Sequence, residues 1–313
     1  MAVQSKKLKL EVPSIGTTPT ESLVIPSFVQ KGDPFDEYDD IKQVGCGAFG
    51  SVYQAKSRSG GNLKAIKVVN AGPRETDKIP KALNEAQIGM QIDHPNILLI
   101  QQVMYDGTRF FFVMDLVEPL TVSSPSDLSK KSLKEKKELL VLFQQLVSAV
   151  EHLVSKGFLH RDIKVQNTGI MLGEDGEPHL VLFDFGEACE KTDHYPNCVG
   201  TAVHMSPEVL KNCQYSVLSE IWALMSFLIE ILTGKAMILH LFDGALGLIT
   251  PIHVQLKIDS LTEPPIPEVF KTDKSPTGIL LLQILRRGLA INPAKRLTFP
   301  ELQALLQQLL DLL

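Results

Sequence analysis

The sequence "FLHRDIKVQN", residues 158–167, places an arginine, an aspartate, a lysine and an asparagine within seven positions, directly after an apolar stretch. An exposed turn can carry such residues for solubility alone. A site that holds metal, phosphate and a hydroxyl proton needs the same residue types. The segment by itself does not decide between the two interpretations, so the decision depends on what accompanies it elsewhere in the chain.

A glycine-rich segment lies upstream, "GCGAFGSV" at residues 45–52, and matches the pattern G-x-G-x-x-G-x-V. Glycine lets the backbone approach phosphate oxygens and present its N–H groups without a side-chain clash. Alone the pattern is a weak signal, since many tight turns carry glycines. Here it separates two strand-like segments, whereas a dinucleotide-binding fold places it between a strand and a helix. The position therefore favours a hairpin flap over a nucleotide.

Lys67 lies in the middle of an apolar, strand-like run, "KAIKVV". Burying a lysine is costly unless an anion is its partner. Glu85, on a predicted helix that contains "ALNEAQIGM", is a candidate for that partner, and the pair would then position the lysine on phosphates. The alternative is a solvent-facing lysine on an edge strand, and Lys67 alone favours that alternative.

A further carboxylate follows an apolar run, because Asp184 comes directly after "LVLF" and shortly before Gly186. A carboxylate at a strand end, with backbone freedom next to it, is suited to hold Mg²⁺ that bridges phosphates. The opening segment then acquires a function. Asp162 would accept a hydroxyl proton, Lys164 would lie near the transferring phosphoryl group, and Asn167 would complete a second metal site.

The 313-residue chain has ordinary globular composition, with 44% hydrophobic and 21% charged residues. Its net charge of −5 gives no basic field for nucleic acid or an anionic membrane surface. The cysteines show no C-x-x-C spacing, which predicts reduced thiols and an intracellular location for Cys46, Cys189, Cys198 and Cys213. The N-terminus has no apolar core of signal-peptide length, and residues 221–249 are too interrupted to span a membrane. Export without a signal would leave no trace in these patterns.

The pattern along the chain predicts an α+β fold in two lobes. A flexible arm rich in Ser, Thr and Pro comes first, followed by strand-like segments with one helix, a short connector and a larger helical part. The bounds of these parts are 1–36, 37–114, 115–119 and 120–313. The longest predicted helix opens at Ser132, with Glu135 in capping-box spacing.

In this order the segments resemble those of the eukaryotic-type protein kinases, and the resemblance covers residues 38–313. Six elements occur in register: "GCGAFGSV", "AIK" at 65–67, Glu85, "HRDIKVQN", "DFG" at 184–186 and "SPE" at 206–208. "NPAKRL" adds Arg296, which in this family forms a structural ion pair with a glutamate, here Glu208. The resemblance implies a bilobal kinase fold, ATP and Mg²⁺ as cofactors, and a protein as the phosphate acceptor.

The resemblance also assigns the residues of the site. It makes Asp162 and Lys164 the catalytic pair, and Asn167 and Asp184 the metal ligands. The implied ATP-binding residues extend from the flap to the connector: Val44, Gly45, Cys46, Gly47, Ala48, Phe49, Gly50, Val52, Ala65, Lys67, Glu85, Met114, Asp115 and Val117.

Serine/threonine specificity is implied by Lys164, two residues after the catalytic aspartate, and by Thr201, shortly before "SPE". Thr201 and "SPE" form the kind of platform that holds an extended peptide, which disfavours a lipid or small-molecule kinase. A pseudokinase or nucleotide-binding scaffold is the other alternative. It is opposed by the complete set of Lys67, Glu85, Asp162, Asn167 and Asp184.

The activation segment of such a kinase would contain Thr192 and Thr201. Thr192 lies where an activating phosphate is usually placed, within reach of Arg161. The segment is already acidic, with carboxylates at Glu187, Glu190 and Asp193, the last of which lies outside the residues that the structure describes. One of these carboxylates is expected to pair with the arginine unaided, which predicts substantial activity without phosphorylation.

Four positions depart from the family pattern. Val165 replaces a proline, and Glu220 replaces an aspartate at the start of a helix. Gly169 stands where an apolar side chain usually forms the floor under adenine, which predicts a thinner nucleotide contact. Gly89, four residues after Glu85, replaces a bulky apolar residue and predicts a loosened helix.

Overall fold

The computed structural model of the chain describes residues 25–47, 50–72, 75–122, 131–173, 176–192, 197–242 and 249–313. The described part of the small lobe contains six strands and one α-helix, β1 (Gln30–Lys31), β2 (Tyr38–Gly47), β3 (Gly50–Ser57), β4 (Leu63–Asn70), α1 (Lys78–Gln91), β5 (Ile100–Tyr105) and β6 (Arg109–Asp115). The described part of the large lobe contains β7 (Glu118–Pro119), α2 (Leu133–Ser155), β8 (Phe158–Leu159), β9 (Thr168–Leu172), β10 (Pro178–Leu182), β11 (Cys189–Glu190), α3 (Pro207–Asn212), α4 (Val217–Thr233), α5 (Pro251–Asp259), α6 (Glu268–Thr272), α7 (Pro276–Gly288) and α8 (Phe299–Asp311).

The sheet of the small lobe runs in the order β1-β5-β6-β4-β3-β2. Side chains on a strand alternate between its two faces, and the run "FFFV" in β6 is apolar on both. Phe110 and Phe112 lie in a cluster with residues of α1, while Phe111 and Val113 lie in a second cluster on the other face. Both faces of β6 are therefore covered, which explains the continuous apolar run.

The same alternation sets the direction of Lys67 in β4. Ala65 and Val69, two residues away on either side, belong to the cluster that includes α1. Lys67 therefore points toward α1 and not toward solvent, and its side chain is only 12% exposed. The interpretation of Lys67 as a surface lysine is wrong.

Residues 25–36, which their composition assigns to a flexible arm, are instead docked on the small lobe. Val29 is 6% exposed, and Phe28 packs against the cluster that contains α1. β1 pairs with β5 in parallel, and Asp33 forms an ion pair with Arg109 at 3.0 Å. A few apolar side chains supply buried surface that a count of Ser, Thr and Pro does not reveal. Residues 1–24 lie outside the described residues.

The large lobe is organised around α2 and α4. The predicted capping box is confirmed, because the backbone N–H of Glu135 donates to Ser132 Oγ at 3.1 Å and the Glu135 carboxylate accepts from the Ser132 N–H at 2.7 Å. α4 is apolar around almost its whole circumference, as expected of a central core helix, and Trp222 and Phe227 are fully buried. Among the described residues, α2 alone is long and apolar enough to cross a membrane. Core helices pass the same test, and α2 buries Phe143 and its neighbours in the large-lobe core.

Gly89 lies where α1 packs against β5. A Cβ atom at this position would lie 2.3 Å from Cδ1 and 2.8 Å from Cγ1 of Ile100. Ile100 is 5% exposed and fills the space that a larger side chain at position 89 would need. The loss of packing that Gly89 suggests from sequence alone is therefore not found in the structure. The side chain of Ile100, in the sheet, fills the space beside Gly89.

We expect Gly89→Ala to lower the free energy of unfolding by about 1 kcal/mol. Alanine favours a helix by about 1 kcal/mol over glycine. Overpacking a filled core costs about 1–3 kcal/mol, which outweighs that gain. Urea denaturation measures the change. Ile100→Val removes the nearer atom, so the double variant should lose less stability than the sum of the two single changes; strictly additive losses would contradict the contact.

Candidate functional site

The predicted nucleotide-binding residues lie along the inner side of the small lobe and in the connector. Val44, Gly45, Cys46 and Gly47 are in β2, Gly50 and Val52 in β3, Ala65 and Lys67 in β4, Glu85 in α1, Met114 and Asp115 in β6, and Val117 just before β7. Ala48 and Phe49, at the tip of the flap, lie outside the described residues.

The flap is a hairpin, as its position between two strand-like segments predicts. Gly47 in β2 pairs with Gly50 in β3. Gly50 has φ +135°, and a Cβ atom there would lie 2.0 Å from the carbonyl oxygen of Val68. Only glycine fits this position, so the pattern of glycines reflects a close approach between backbones.

Lys67 is the centre of a buried ion cluster. Its Nζ donates to both carboxylate oxygens of Glu85, at 2.8 and 2.9 Å, and to Asp184 Oδ1 at 3.1 Å. Burial disfavours the charged amine, but the carboxylates of Glu85 and Asp184 more than offset this and hold the pKa of Lys67 above its ordinary value. One cation therefore joins β4, α1 and the segment after β10.

Further contacts fix α1 against this segment. Asn84 Nδ2 donates to the carbonyl oxygens of Phe185, at 3.0 Å, and Ala188, at 2.7 Å, and Lys81 pairs with the Glu187 carboxylate. The sequence gives no signal for Asn84 and Lys81, because a polar residue near Glu85 does not indicate which groups it will contact. Together they hold the helix in the position that the Lys67–Glu85 pair requires.

The catalytic loop is anchored on α4 through Glu220. Its carboxylate accepts the backbone N–H groups of His160, at 3.0 Å, and Arg161, at 3.1 Å. Burial raises the pKa of Glu220 to about 7, although these hydrogen bonds act in the opposite direction. The glutamate that replaces the usual aspartate thus reaches both amides.

Asp162 is surrounded by donors. Lys164 Nζ donates to its Oδ2 at 2.6 Å, Thr201 Oγ1 to its Oδ1 at 2.7 Å, and Asn167 Nδ2 to its Oδ2 at 3.1 Å. Burial raises the pKa of this carboxyl, but the hydrogen bonds from Lys164 and Thr201 outweigh it and hold the pKa below its usual value. Lys164 also donates to Thr201 at 2.9 Å, so the loop and the activation segment share one network.

Arg161 is buried beneath the activation segment. Its Nε donates to the carbonyl oxygen of Glu187, and its guanidinium lies 5.1 Å from the ring centroid of Tyr215. The carboxylate of Glu187 is paired with Lys81. Thr192 is exposed. Arg161 therefore has partners without a phosphate, and Tyr215, which the sequence did not single out, is one of them.

The connector packs tightly on β9. A Cβ atom at Gly169 would lie 2.8 Å from Val117 Cγ2 and 3.0 Å from the carbonyl oxygen of Glu118. The space that an apolar floor residue would need is thus occupied by the connector itself. Lys64 pairs with Asp115 at 2.5 Å and ties the connector to β4.

Glu208 and Arg296 form the ion pair that the resemblance implies. The two guanidinium nitrogens of Arg296 donate to the two oxygens of Glu208 at 2.6 and 2.8 Å. Arg296 is fully buried and lies 5.0 Å from the ring centroid of Trp222. A bidentate, buried pair of this kind holds α3 to the segment between α7 and α8.

The prediction that all four cysteines are reduced thiols is wrong for two of them. Cys198 and Cys213 form a disulfide, with their Cα atoms 4.9 Å apart, while Cys46 and Cys189 are not disulfide-bonded. The fold brings together two residues that are 15 positions apart, and a spacing rule for metal sites does not detect such a pair.

Comparison with known proteins shows which family the chain resembles in sequence. The model of the protein kinase domain matches residues 38–308. A probable serine/threonine-protein kinase, nek3 of Dictyostelium discoideum, is 29% identical over 83% of this chain and 22% of its own length. Serine/threonine-protein kinase Nek1 of Mus musculus is 28% identical over 87% of this chain and 21% of its own length. Serine/threonine-protein kinase ATG1a of Arabidopsis thaliana is 31% identical over 83% of this chain and 40% of its own length.

The chain thus spans less than half the length of each of these relatives. The family match covers residues 38–308, and this range includes all the site residues described above. The chain belongs to the protein kinase domain family.

Proposed function

We propose that this chain is a protein serine/threonine kinase that transfers the γ-phosphate of ATP to protein hydroxyl groups. One observation carries the proposal: Lys67 joins Glu85 to Asp184, while Asp162 is bound to Lys164 and Thr201. A scaffold without activity needs neither arrangement. The names of the related proteins, which are serine/threonine-protein kinases, support the same conclusion.

Lys67 is suited to hold phosphate oxygens. It is charged, since its pKa is raised, and it is fixed by two carboxylates on opposite elements. A fixed cation costs no reorganisation when negative charge arrives or shifts. The adenine would lie at the connector, against Met114 and between Ala65 and Val117.

Protein kinases generally use Mg²⁺, and Asn167 and Asp184 would hold it here. Amide and carboxylate oxygens are the ligand types that this ion takes. Asn167 Nδ2 is committed to Asp162, which leaves the amide oxygen as the atom able to bind a cation. When bound, Mg²⁺ would neutralise charge on the phosphate oxygens.

Asp162 is suited to receive the acceptor hydroxyl. Its lowered pKa keeps it ionised at neutral pH, so it can orient a hydroxyl group and take its proton. Lys164, 2.6 Å away, supplies a positive charge beside the reaction path. Thr201 connects this pair to the segment on which a peptide would lie, which supports serine or threonine as the acceptor.

Asp162→Asn should reduce phosphoryl transfer by at least about 10²-fold, the usual contribution of a positioned general base, and leave nucleotide binding within about twofold. The amide cannot accept a proton, whereas Lys67, Asp184 and the connector are untouched. Transfer from labelled ATP to a mixed protein substrate and binding of a fluorescent ATP analogue measure the two effects. Asp259→Asn, on the exposed end of α5, is the control. Transfer at the wild-type rate would remove Asp162 from the mechanism, and no transfer by the wild type would favour the scaffold.

Lys67→Met should lower transfer by roughly 10²–10³-fold, as expected when a preorganised positive charge is lost. Glu85 and Asp184 then lack their buried partner, so the melting temperature should fall by several degrees without loss of the fold. Thermal unfolding and labelled-ATP transfer are measured together. Lys56→Met, an exposed lysine on β3, should change neither. A Lys67→Met protein that stays folded and fully active would refute the phosphate role.

Thr192→Ala should reduce specific activity by less than about tenfold, or about 1.4 kcal/mol in the barrier. The reason is that Arg161 already contacts the Glu187 carbonyl and the Tyr215 ring. The comparison is between phosphatase-treated wild type and the variant. The idea fails if the dephosphorylated enzyme is inert and regains activity only when Thr192 is modified.

A further inference from the structure

We propose that the Cys198–Cys213 disulfide is a redox-reversible staple that fixes the substrate-side end of the activation segment, and with it Thr201, against α3. The inference rests on the proposed kinase function for its effect on activity. Whether the disulfide forms and fixes the segment can be tested without a measurement of kinase activity.

The disulfide joins the activation segment to the end of α3. Cys198 lies three residues before Thr201, and Cys213 is the residue that ends α3. Cys198 is exposed and Cys213 is half-buried. The bond is therefore open to small thiol reagents, unlike the thiol of Cys189, which is buried.

A second, non-covalent tie lies directly beside the disulfide. The hydroxyl of Tyr215 accepts the N–H of Val199 at 2.7 Å and donates to the Val199 carbonyl oxygen at 2.5 Å. The ring of the same tyrosine lies under the guanidinium of Arg161. Two consecutive residues of the activation segment are thus held by the turn between α3 and α4, one covalently and one through hydrogen bonds.

The segment that the staple holds contacts the catalytic loop beside Asp162. A Cβ atom at Gly200 would lie 2.4 Å from the Arg161 carbonyl oxygen, so the segment touches the catalytic loop at this point. The next residue, Thr201, donates to Asp162. Only two residues separate the disulfide from that hydrogen bond, so fixing Cys198 restricts how far Thr201 can move.

Cys213 contributes a further constraint. Its backbone is left-handed, with φ 52°, which is uncommon for residues other than glycine. Its N–H donates to the Val209 carbonyl oxygen at 2.8 Å, and the disulfide holds its side chain. Without the disulfide, this end of the segment is held by non-covalent contacts, among them the hydrogen bonds of Tyr215 with Val199 and of Thr201 with Asp162.

The chemistry is thiol–disulfide exchange. A dithiol reductant attacks one sulfur as a thiolate, the Cys198–Cys213 bond breaks, and the reductant leaves as its own disulfide. The protein gains two electrons and two protons and ends with two thiols. A small-molecule disulfide such as oxidised glutathione reverses the process.

Tryptic mapping tests the bond directly. Cleavage after Lys191, Lys211 and Lys235 places Cys198 in peptide 192–211 and Cys213 in peptide 212–235. We expect a linked pair of these peptides from protein purified without reductant, and separate peptides after dithiothreitol. Hydrogen exchange of residues 197–206 should increase on reduction. Unlinked peptides, or unchanged exchange, would overturn the staple whether or not the chain is a kinase.

Enzyme kinetics test whether fixing the segment affects the binding of a peptide substrate. Reduction should raise KM for a peptide substrate by about fivefold or more, the low end of coupling between linked sites. KM for ATP should stay constant, since the ion pairs of Lys67 with Glu85 and Asp184 involve none of the residues of the staple. Cys198→Ser and Cys213→Ser should both match the reduced wild type and no longer respond to dithiothreitol. A response that persists in both variants would place the redox effect elsewhere and refute the proposal. Absence of transfer in every form would refute the kinase function, and the exchange data would still decide on the staple.

Discussion

The ion cluster around Lys67 is the interaction on which the arrangement of the site depends. One buried amine satisfies carboxylates from α1 and from the segment after β10, so neither element can move without leaving a charge unpaired in a dry environment. The contacts of Asn84 with Phe185 and Ala188 repeat the connection through neutral groups. A movement of α1 would therefore have to be accompanied by a movement of Asp184.

The catalytic loop has a separate anchor with different chemistry. Glu220 lies within the large-lobe core, and its carboxyl has an ordinary pKa of 4.5 in water but one of about 7 in the fold. Between these values the folded chain holds a proton that the unfolded chain has released, so this group makes folding less favourable as the pH rises toward 7. The loop that carries Asp162 is thus held by a group whose protonation changes near neutral pH, while Asp162 itself stays ionised.

Much of this arrangement could be predicted from the sequence, because it follows from local rules. The capping box of α2, the hairpin at the glycine-rich flap and the order of the motifs depend on neighbouring residues only. Features that depend on packing between segments that are distant along the chain could not be predicted. Gly89 suggests a weak helix until Ile100 is known to lie opposite, and Gly169 suggests an open floor until Val117 is known to fill it.

The disulfide and the docked segment show a second limit of sequence reasoning. Cys198 and Cys213 carry no mutual spacing signal, since a pair depends on where the chain returns in space. Residues 25–36 have the composition of an arm, yet a few apolar residues are enough to bind them to a surface. In both cases the deciding quantity is a contact between segments that are distant along the chain.

The parallel pairing of β1 with β5 has a consequence for where the folded unit begins. The match to the family starts at residue 38, after β1, but the strand order makes β5 an outer strand as soon as β1 is absent. A chain cut at residue 38 would remove the pairing of Met104 and Tyr105 at the end of β5, beside the apolar surface that Val29 covers. An unpaired strand edge is a template for strands of other molecules, so we expect a chain without this short segment to self-associate more readily.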